Sequence, residues 1–374
     1  MFNQDHYVPI LKWKRGERTA LENLHSSIKE KMKPLFEIQP VSYNHAANAF
    51  SKTIDDHLQD IGDQVNSSWG QLTPVFVDLD TLYENEDFKD DILQNGQHPI
   101  EFVIEDIESK GTPAIPVTGI YRDDPFQNAI KAIIKQYNRG VCLRLEVADL
   151  ADLNMLKDDL DHLLDFLEVT RDNIDIIIDY KQIIPQQEQA HTRDVTLTLV
   201  QLPYLLEWRT LTLASTAYPK NLRQIATNSY GVLPRTEWTV YQKIRGYGLA
   251  RIPAFADYNI TNPDYVNLDP RLINMAAGVK YTSGNEFHIF RGIGIRNNGF
   301  SQMNQICQDI ISNSCYSGSH FSHGDKYIHD CATQSVTTGN AEKWVTVGVN
   351  HHLTCVIHDL SILRGPSIVG SPSS

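Results

Sequence analysis

Residues 7–17 read YVPILKWKRGE: an apolar run from Tyr7 that gives way to charge at Lys12, Lys14, Arg15 and Glu17. The pattern is that of a buried strand over 7–13 ending at a polar surface. It recurs seven times, as PLFEIQ (34–39), PVFVDLD (74–80), PAIPVTGIY (113–121), VCLRLEV (141–147), IDIIIDYK (174–181), WRTLTLAST (208–216) and RIPAFADY (251–258). Strands this apolar, PVFVDLD above all, are buried on both faces, as parallel strands are. Their spacing of roughly 30–45 residues suits crossover units and excludes hairpins. Eight such units predict a TIM-like (β/α)8 barrel whose working face lies where the strands end.

The connecting stretches support this. Ala20, Leu21, Leu24 and Ile28 share one face of a helix predicted over 18–31, and Ile54, Leu58, Ile61 and Val65 one over 51–65. Further helices are expected over 99–108, 125–137, 149–170 and 185–206. Beyond about residue 259 the pattern changes. Residues 277–281 and 287–292 form a predicted hairpin around Ser283-Gly284-Asn285, followed by a helix over 300–312, a Ser/Gly/His-rich loop and a last helix over 341–363. The expected organisation is a barrel core over 1–259, a C-terminal α+β extension over 260–364 packed on or completing it, and a disordered tail over 365–374. No repeat of fixed period suggests a solenoid.

Composition narrows the functional classes. The net charge of −13 and the lack of a basic stripe argue against direct nucleic-acid binding. No apolar stretch is long enough for a membrane span, and the start lacks the layout of a signal peptide. Five cysteines without framework spacing fit reduced thiols and a cytoplasmic location.

Alternate strand residues face one way, so the barrel mouth should collect residues two apart at the strand ends. That rule yields Lys12 and Lys14, Glu37 and Gln39, Asp78 and Asp80, Thr118, Arg144 and Glu146, Asp179 and Lys181, Ser215, and Asp257. Core layers favour Val, Ile and Leu, and buried charges persist when paired or when binding something. Two readings follow. The charges pair across the mouth and cap it, or they form a site for an anionic small molecule. In the site, Lys12, Lys14, Lys181 and Arg144 hold the anion with Ser215 and Asp257. Glu37, Asp78, Glu146 and Asp179 then act as acid, base or divalent-metal ligands. The planar guanidinium of Arg144 is the natural anion clamp.

A second cluster lies near the C-terminus, where His320, His323, His329, His351, His352 and His358 accompany Cys307, Cys315, Cys331 and Cys355. Their spacing matches no common zinc signature. His323, Asp325, His351 and His352 are candidates for a lid over the mouth. Phosphate-loop, dinucleotide, nucleophile-elbow and HExxH motifs are absent.

The opening YVPILKWKRGERTAL, the following PLFEIQP, and the later RGIG, FSHGDKYI, Trp344 and NHHLT resemble the Beta protein family of phage satellites and bacterial genomes, over about residues 7–363. The resemblance implies a phage- or prophage-encoded accessory protein with a part in defence against competing phages. It assigns no catalytic residues. Two functional classes stay open: a hydrolase or lyase acting on a phosphorylated small molecule or nucleotide, and a non-catalytic, antitoxin-like or sensor protein that contacts a phage or neighbouring-gene partner.

Overall fold

The computed structural model describes residues 6–84, 92–264 and 274–363; the tail expected over 365–374 lies outside them. The strands in chain order are β1 (Tyr7–Lys12), β2 (Leu35–Glu37), β3 (Tyr43–Asn44), β4 (Ala49–Phe50), β5 (Val75–Asp78), β6 (Ala114–Thr118), β7 (Val141–Glu146), β8 (Ile174–Gln182), β9 (Thr210–Thr216), β10 (Ser229–Pro234), β11 (Ala254–Asp257), β12 (Ala276–Ser283) and β13 (Glu286–Gly294). Eight of them close into a parallel barrel in the order β1-β11-β9-β8-β7-β6-β5-β2. All eight predicted runs are in it.

The barrel interior is packed by Val8, Ile10, Leu35, Phe76, Ile115, Val117, Cys142, Ile177, Ala214, Ala256 and Tyr258. The alternating residues, among them Leu11, Phe36, Val77, Leu145, Ile178 and Leu213, join the larger core between strands and helices. This alternation corrects three expectations. Thr118, Ser215 and Asp257 follow the interior residues Val117, Ala214 and Ala256, so they project outward. A one-residue error of phase moves a side chain to the other face of the sheet.

Below the apolar layer, the floor of the barrel is an ion cluster. Asp175 accepts hydrogen bonds from Lys33 Nζ (2.9 Å), Arg209 Nη2 (2.8 Å) and Thr210 Oγ1 (2.6 Å). Burial alone would raise its pKa, but Lys33 and Arg209 outweigh that and hold it below the ordinary value.

The helices differ from expectation at their breaks. The stretch 51–65 forms two helices, Ile54–Leu58 and Ile61–Ser68, because Asp60 between them is left-handed at φ 68°. The loop read over 312–327 instead contains the start of a helix, His323–Ala332. Ser322 caps it by accepting from the Asp325 backbone N–H at 3.1 Å.

The extension is a three-stranded antiparallel sheet, β10-β13-β12, with its own core including Val279, Tyr281, Phe290, Met303, Ile328 and Trp344. β10 comes from within the stretch read as barrel; its exposed, alternating residues give no continuous apolar run. The helix Ala341–Leu363 is buried on nearly every side, as a helix wedged between layers must be. Thr346 Oγ1 and Asn350 Nδ2 donate to the carbonyls of Gly16 and Ala20, each at 3.0 Å, on the helix Arg15–Glu22. Two glycines permit this approach. A Cβ at Gly16 would lie 2.8 Å from Val345 Cγ1, and one at Gly348 would lie 2.6 Å from Ile260 Cδ1.

Candidate functional site: the barrel mouth

At the C-terminal ends of the strands, β2, β5, β7 and β8 direct Glu37, Asp78, Arg144 and Asp179 to one point. Arg144 Nε donates to Asp179 Oδ2 (2.9 Å), Nη1 to Asp78 Oδ2 (2.7 Å), and Nη2 to Glu37 Oε1 (2.9 Å) and Tyr258 Oη (2.6 Å). Tyr258 in turn donates to Asp179 at 2.5 Å. All of these residues are buried. Burial would strip the Arg144 proton, but Tyr258 and the three carboxylates hold its pKa well above the ordinary value. Glu37 is pushed up by burial; Arg144 pulls the other way and Asp78 adds to the rise. Its second oxygen, Oε2, is buried without a hydrogen-bond partner.

The predicted catalytic residues Glu37, Asp78 and Asp179 thus meet, but Arg144 does not stand ready as an anion clamp. Its donors are engaged by the three carboxylates and Tyr258. The fourth carboxylate, Glu146, sits on the rim in an ion pair with Lys181 at 2.6 Å, and Arg122 pairs with Asp80 and comes within 3.9 Å of Asp78.

Cations collect instead where β1 meets β11. Lys12 Nζ donates to the Asp264 carbonyl at 2.7 Å, Lys220 pairs with the Asp264 carboxylate, and Lys280 Nζ donates to the Ile260 carbonyl at 3.0 Å. Lys14 is the N-cap of the helix Arg15–Glu22, whose first turn carries the buried Glu17. Burial raises Glu17 to about 7 against the opposing charges of Lys14, Lys12 and Lys280.

The remaining expected ligands lie outside the mouth. Asp257 points to the long helix, where His352 Nε2 meets Oδ2 at 2.9 Å and Tyr7 donates to Oδ1 at 2.5 Å. Burial raises Asp257, but His352 and Tyr7 outweigh it and keep it low, while burial lowers His352. An ionised Asp257 only accepts, so the Nε2–H of His352 donates to it and Nδ1 accepts from Thr282 Oγ1 at 2.8 Å. His351 Nδ1 meets Asp325 at 2.8 Å, and Tyr281 donates to the same carboxylate at 2.6 Å. His352 is therefore a buried strut between extension and barrel, His351 and Asp325 are buried within the extension, and His323 opens the helix His323–Ala332. Ser215 is buried on the outer face of β9. Among the described residues no group of three or more His, Cys, Asp or Glu side chains is placed to hold a metal ion, and no helix is long and apolar enough to cross a membrane.

The sequence reading missed Tyr258, Lys280, Arg122 and the role of Glu17. Tyr258 had a signal, since it is two residues on from Ala256 and shares its face. Lys280 had none, because it reaches the mouth from the extension.

Fold and mouth together define a (β/α)8 barrel with a carboxylate-rich C-terminal face. The chain belongs to the Beta protein family, whose profile matches residues 7–358. No curated protein matches it. Among solved structures it is similar to triosephosphate isomerase from Bartonella henselae (10% identity, 68% of this chain and 92% of that one, TM-score 0.33). It is also similar to a putative fructose-1,6-biphosphate aldolase from Coccidioides immitis (7% identity, 96% and 90%, TM-score 0.32). Likeness at that level carries no argument about chemistry.

Proposed function

We propose that the barrel mouth binds an anionic small molecule, such as a phosphorylated metabolite or a nucleotide, and performs acid–base chemistry on it as a hydrolase or lyase. One observation carries this reading: three buried carboxylates surround one buried guanidinium, a second, Arg122, reaches only Asp78 (3.9 Å) and is shared with Asp80, and one oxygen of Glu37 is left without a partner. A structural plug is most stable when its charges balance and every polar atom is bonded. The imbalance instead favours a protonated Glu37, and a carboxyl that keeps its proton is a general acid. Lys12, Lys14 and Lys280 would hold the anion beside it, in the place first expected of Arg144. The biological setting we propose is the one the family resemblance implies, a phage- or prophage-encoded role in defence against competing phages.

The test is thermal melting of the purified protein with ribose 5-phosphate, ATP and inorganic phosphate, for wild type and Lys12→Met. A concentration-dependent rise in the wild type that Lys12→Met loses, while its unliganded melting point holds, is the expected result. No rise with any of the three sinks the reading.

One observation favours a second reading, contact with a partner protein. β10 is an edge strand, and its exposed Tyr230 and Val232 lie with Ile184 along a cleft of about 640 Å3. Such an edge can accept an extended segment of another chain.

A further inference from the structure

We propose that the open edge of β10 seats residues 367–371 of this same chain as a further strand, antiparallel to it. This commits the second reading of that cleft to one occupant and rests on it. A partner protein using the same edge would first have to displace the segment.

The cleft follows the edge of the strand. All six residues of β10, from Ser229 to Pro234, line it. Successive strand residues point to opposite faces, so a cleft that touches every one of them runs along the edge rather than over a face. β13 pairs with the opposite edge. Across the cleft stand Gln182 and Ile184, at and beyond the end of β8, and Pro219, beyond β9. An uncovered edge presents unpaired backbone groups that another strand can satisfy. Charged side chains commonly blunt such edges, yet β10 reads SYGVLP and carries none. Among the described residues no charged side chain lines the cleft at all. A charged occupant would lose water there without gaining a counter-charge, so the cleft suits an uncharged one.

The stretch 364–374, RGPSIVGSPSS, lies outside the described residues, and beyond Arg364 it has no charged side chain. Ile368 and Val369 are β-branched, the type that strands favour, and Pro366 and Pro372 bracket residues 367–371 as prolines bracket edge strands. Its point of departure is fixed by the structure. Arg235, directly after β10, donates from Nη1 to Asp359 Oδ2 at 2.9 Å and to the Gly284 carbonyl at 2.6 Å. That ties the last turns of the helix Ala341–Leu363 to the Pro234 end of β10. A segment leaving that end and following the cleft runs from Pro234 toward Ser229, the antiparallel direction. Fully extended, 364–374 spans about 36 Å, and β10 is about 20 Å long, which leaves roughly 15 Å for the approach.

The test is hydrogen–deuterium exchange at pH 7 on the full chain, on a chain ending at Leu363, and on the double variant Ile368→Asp/Val369→Asp. Removing the segment should speed exchange of the outward-facing amides over 229–233 by about tenfold, as when an effective concentration near 1 mM meets an affinity near 0.1 mM. The double variant keeps the length, places charge in an uncharged cleft, and should do the same. Exchange over 141–146 in β7 should not change. Fast exchange of 229–233 in all three proteins overturns this inference alone, because the edge is then open to a partner. Slow exchange in all three means that the edge is closed, and the partner reading falls with it. A rise on truncation that the double variant lacks, or that β7 shares, also overturns the inference. So does protection that is lost on dilution, which assigns the edge to a second copy.

Discussion

The two ends of the barrel interior carry opposite charge arithmetic. At the floor a single carboxylate, Asp175, faces two cations, Lys33 and Arg209, and a hydroxyl. At the mouth one fully buried guanidinium, Arg144, faces Glu37, Asp78 and Asp179. The floor's surplus charge is easily relieved. Burial already weakens the Lys33 proton, and the Arg209 side chain keeps 28% of its surface in contact with solvent. The mouth's surplus is relieved only in part: Arg122 comes within 3.9 Å of Asp78 but also pairs with Asp80, and the other members are at most 5% exposed. A proton or a ligand must complete it. Both clusters hold the barrel together, and only the mouth is left wanting something.

That contrast can be broken by mutation. The largest effect is expected from Arg144→Met, which leaves the buried Glu37 and Asp179 without an ion-pair partner and Asp78 with only the longer pair to Arg122. Equilibrium urea unfolding at pH 7 should register a loss of about 3–5 kcal/mol, the usual range for orphaning a buried ion pair. A loss below about 1 kcal/mol would mean that the carboxylates are already protonated or solvated.

Asp175→Asn is expected to cost less, about 2 kcal/mol by the same measurement, in the range for a lost charge-assisted hydrogen bond. The remaining cations can shed a proton or reach water. Should Asp175→Asn prove costlier than Arg144→Met, the floor and not the mouth is the stressed end.

The smallest effect sharpens the comparison further. Glu37→Gln keeps the shape and removes one surplus charge, so stability at pH 7 should change by less than about 1 kcal/mol, with a gain as the expected sign. Its pH profile is the clearer readout. A carboxyl raised in the folded state contributes stability below its unfolded value, and that is lost as pH rises through the folded one. Asp175, depressed in the folded state, contributes above its unfolded value and loses this only as pH falls through the folded one. Wild type should therefore gain relative to Glu37→Gln as pH falls from 7 toward 4, while both fail together at lower pH. Glu17 and Glu237, each raised by burial to about 7, add the same slope to both proteins. Parallel profiles would show that Glu37 is ionised like an ordinary carboxylate.

Legibility followed locality. Each barrel strand announced itself because burial on two faces demands an apolar run, and such a run is visible in a few consecutive letters. The members of the mouth on β2, β5, β7 and β8 were equally visible, since charge directly after an apolar run marks a strand end. Errors arose where a local pattern had to be given a direction. Ser215 and Asp257 were placed inward because they are polar, yet the interior positions beside them hold Ala214, Ala256 and Tyr258. His351 and His352 read as candidates for a lid and are fully buried. β10 went unread because an edge strand over solvent needs no apolar run.

The sequence by itself determined the number of barrel strands, their parallel arrangement and the polarity of the barrel, because backbone burial and turn chemistry act over a few residues. Only the tertiary structure decided which charges meet. Arg144 lies 107 positions from Glu37 and 114 from Tyr258, and no local rule fixes which donors such distant groups will share. It also packed one long helix against both the helix Arg15–Glu22 and the strand β12, by close approach at Gly16 and Gly348. Electrostatic energies depend on separation in space and on how far water is excluded, and both exist only once the chain has closed on itself.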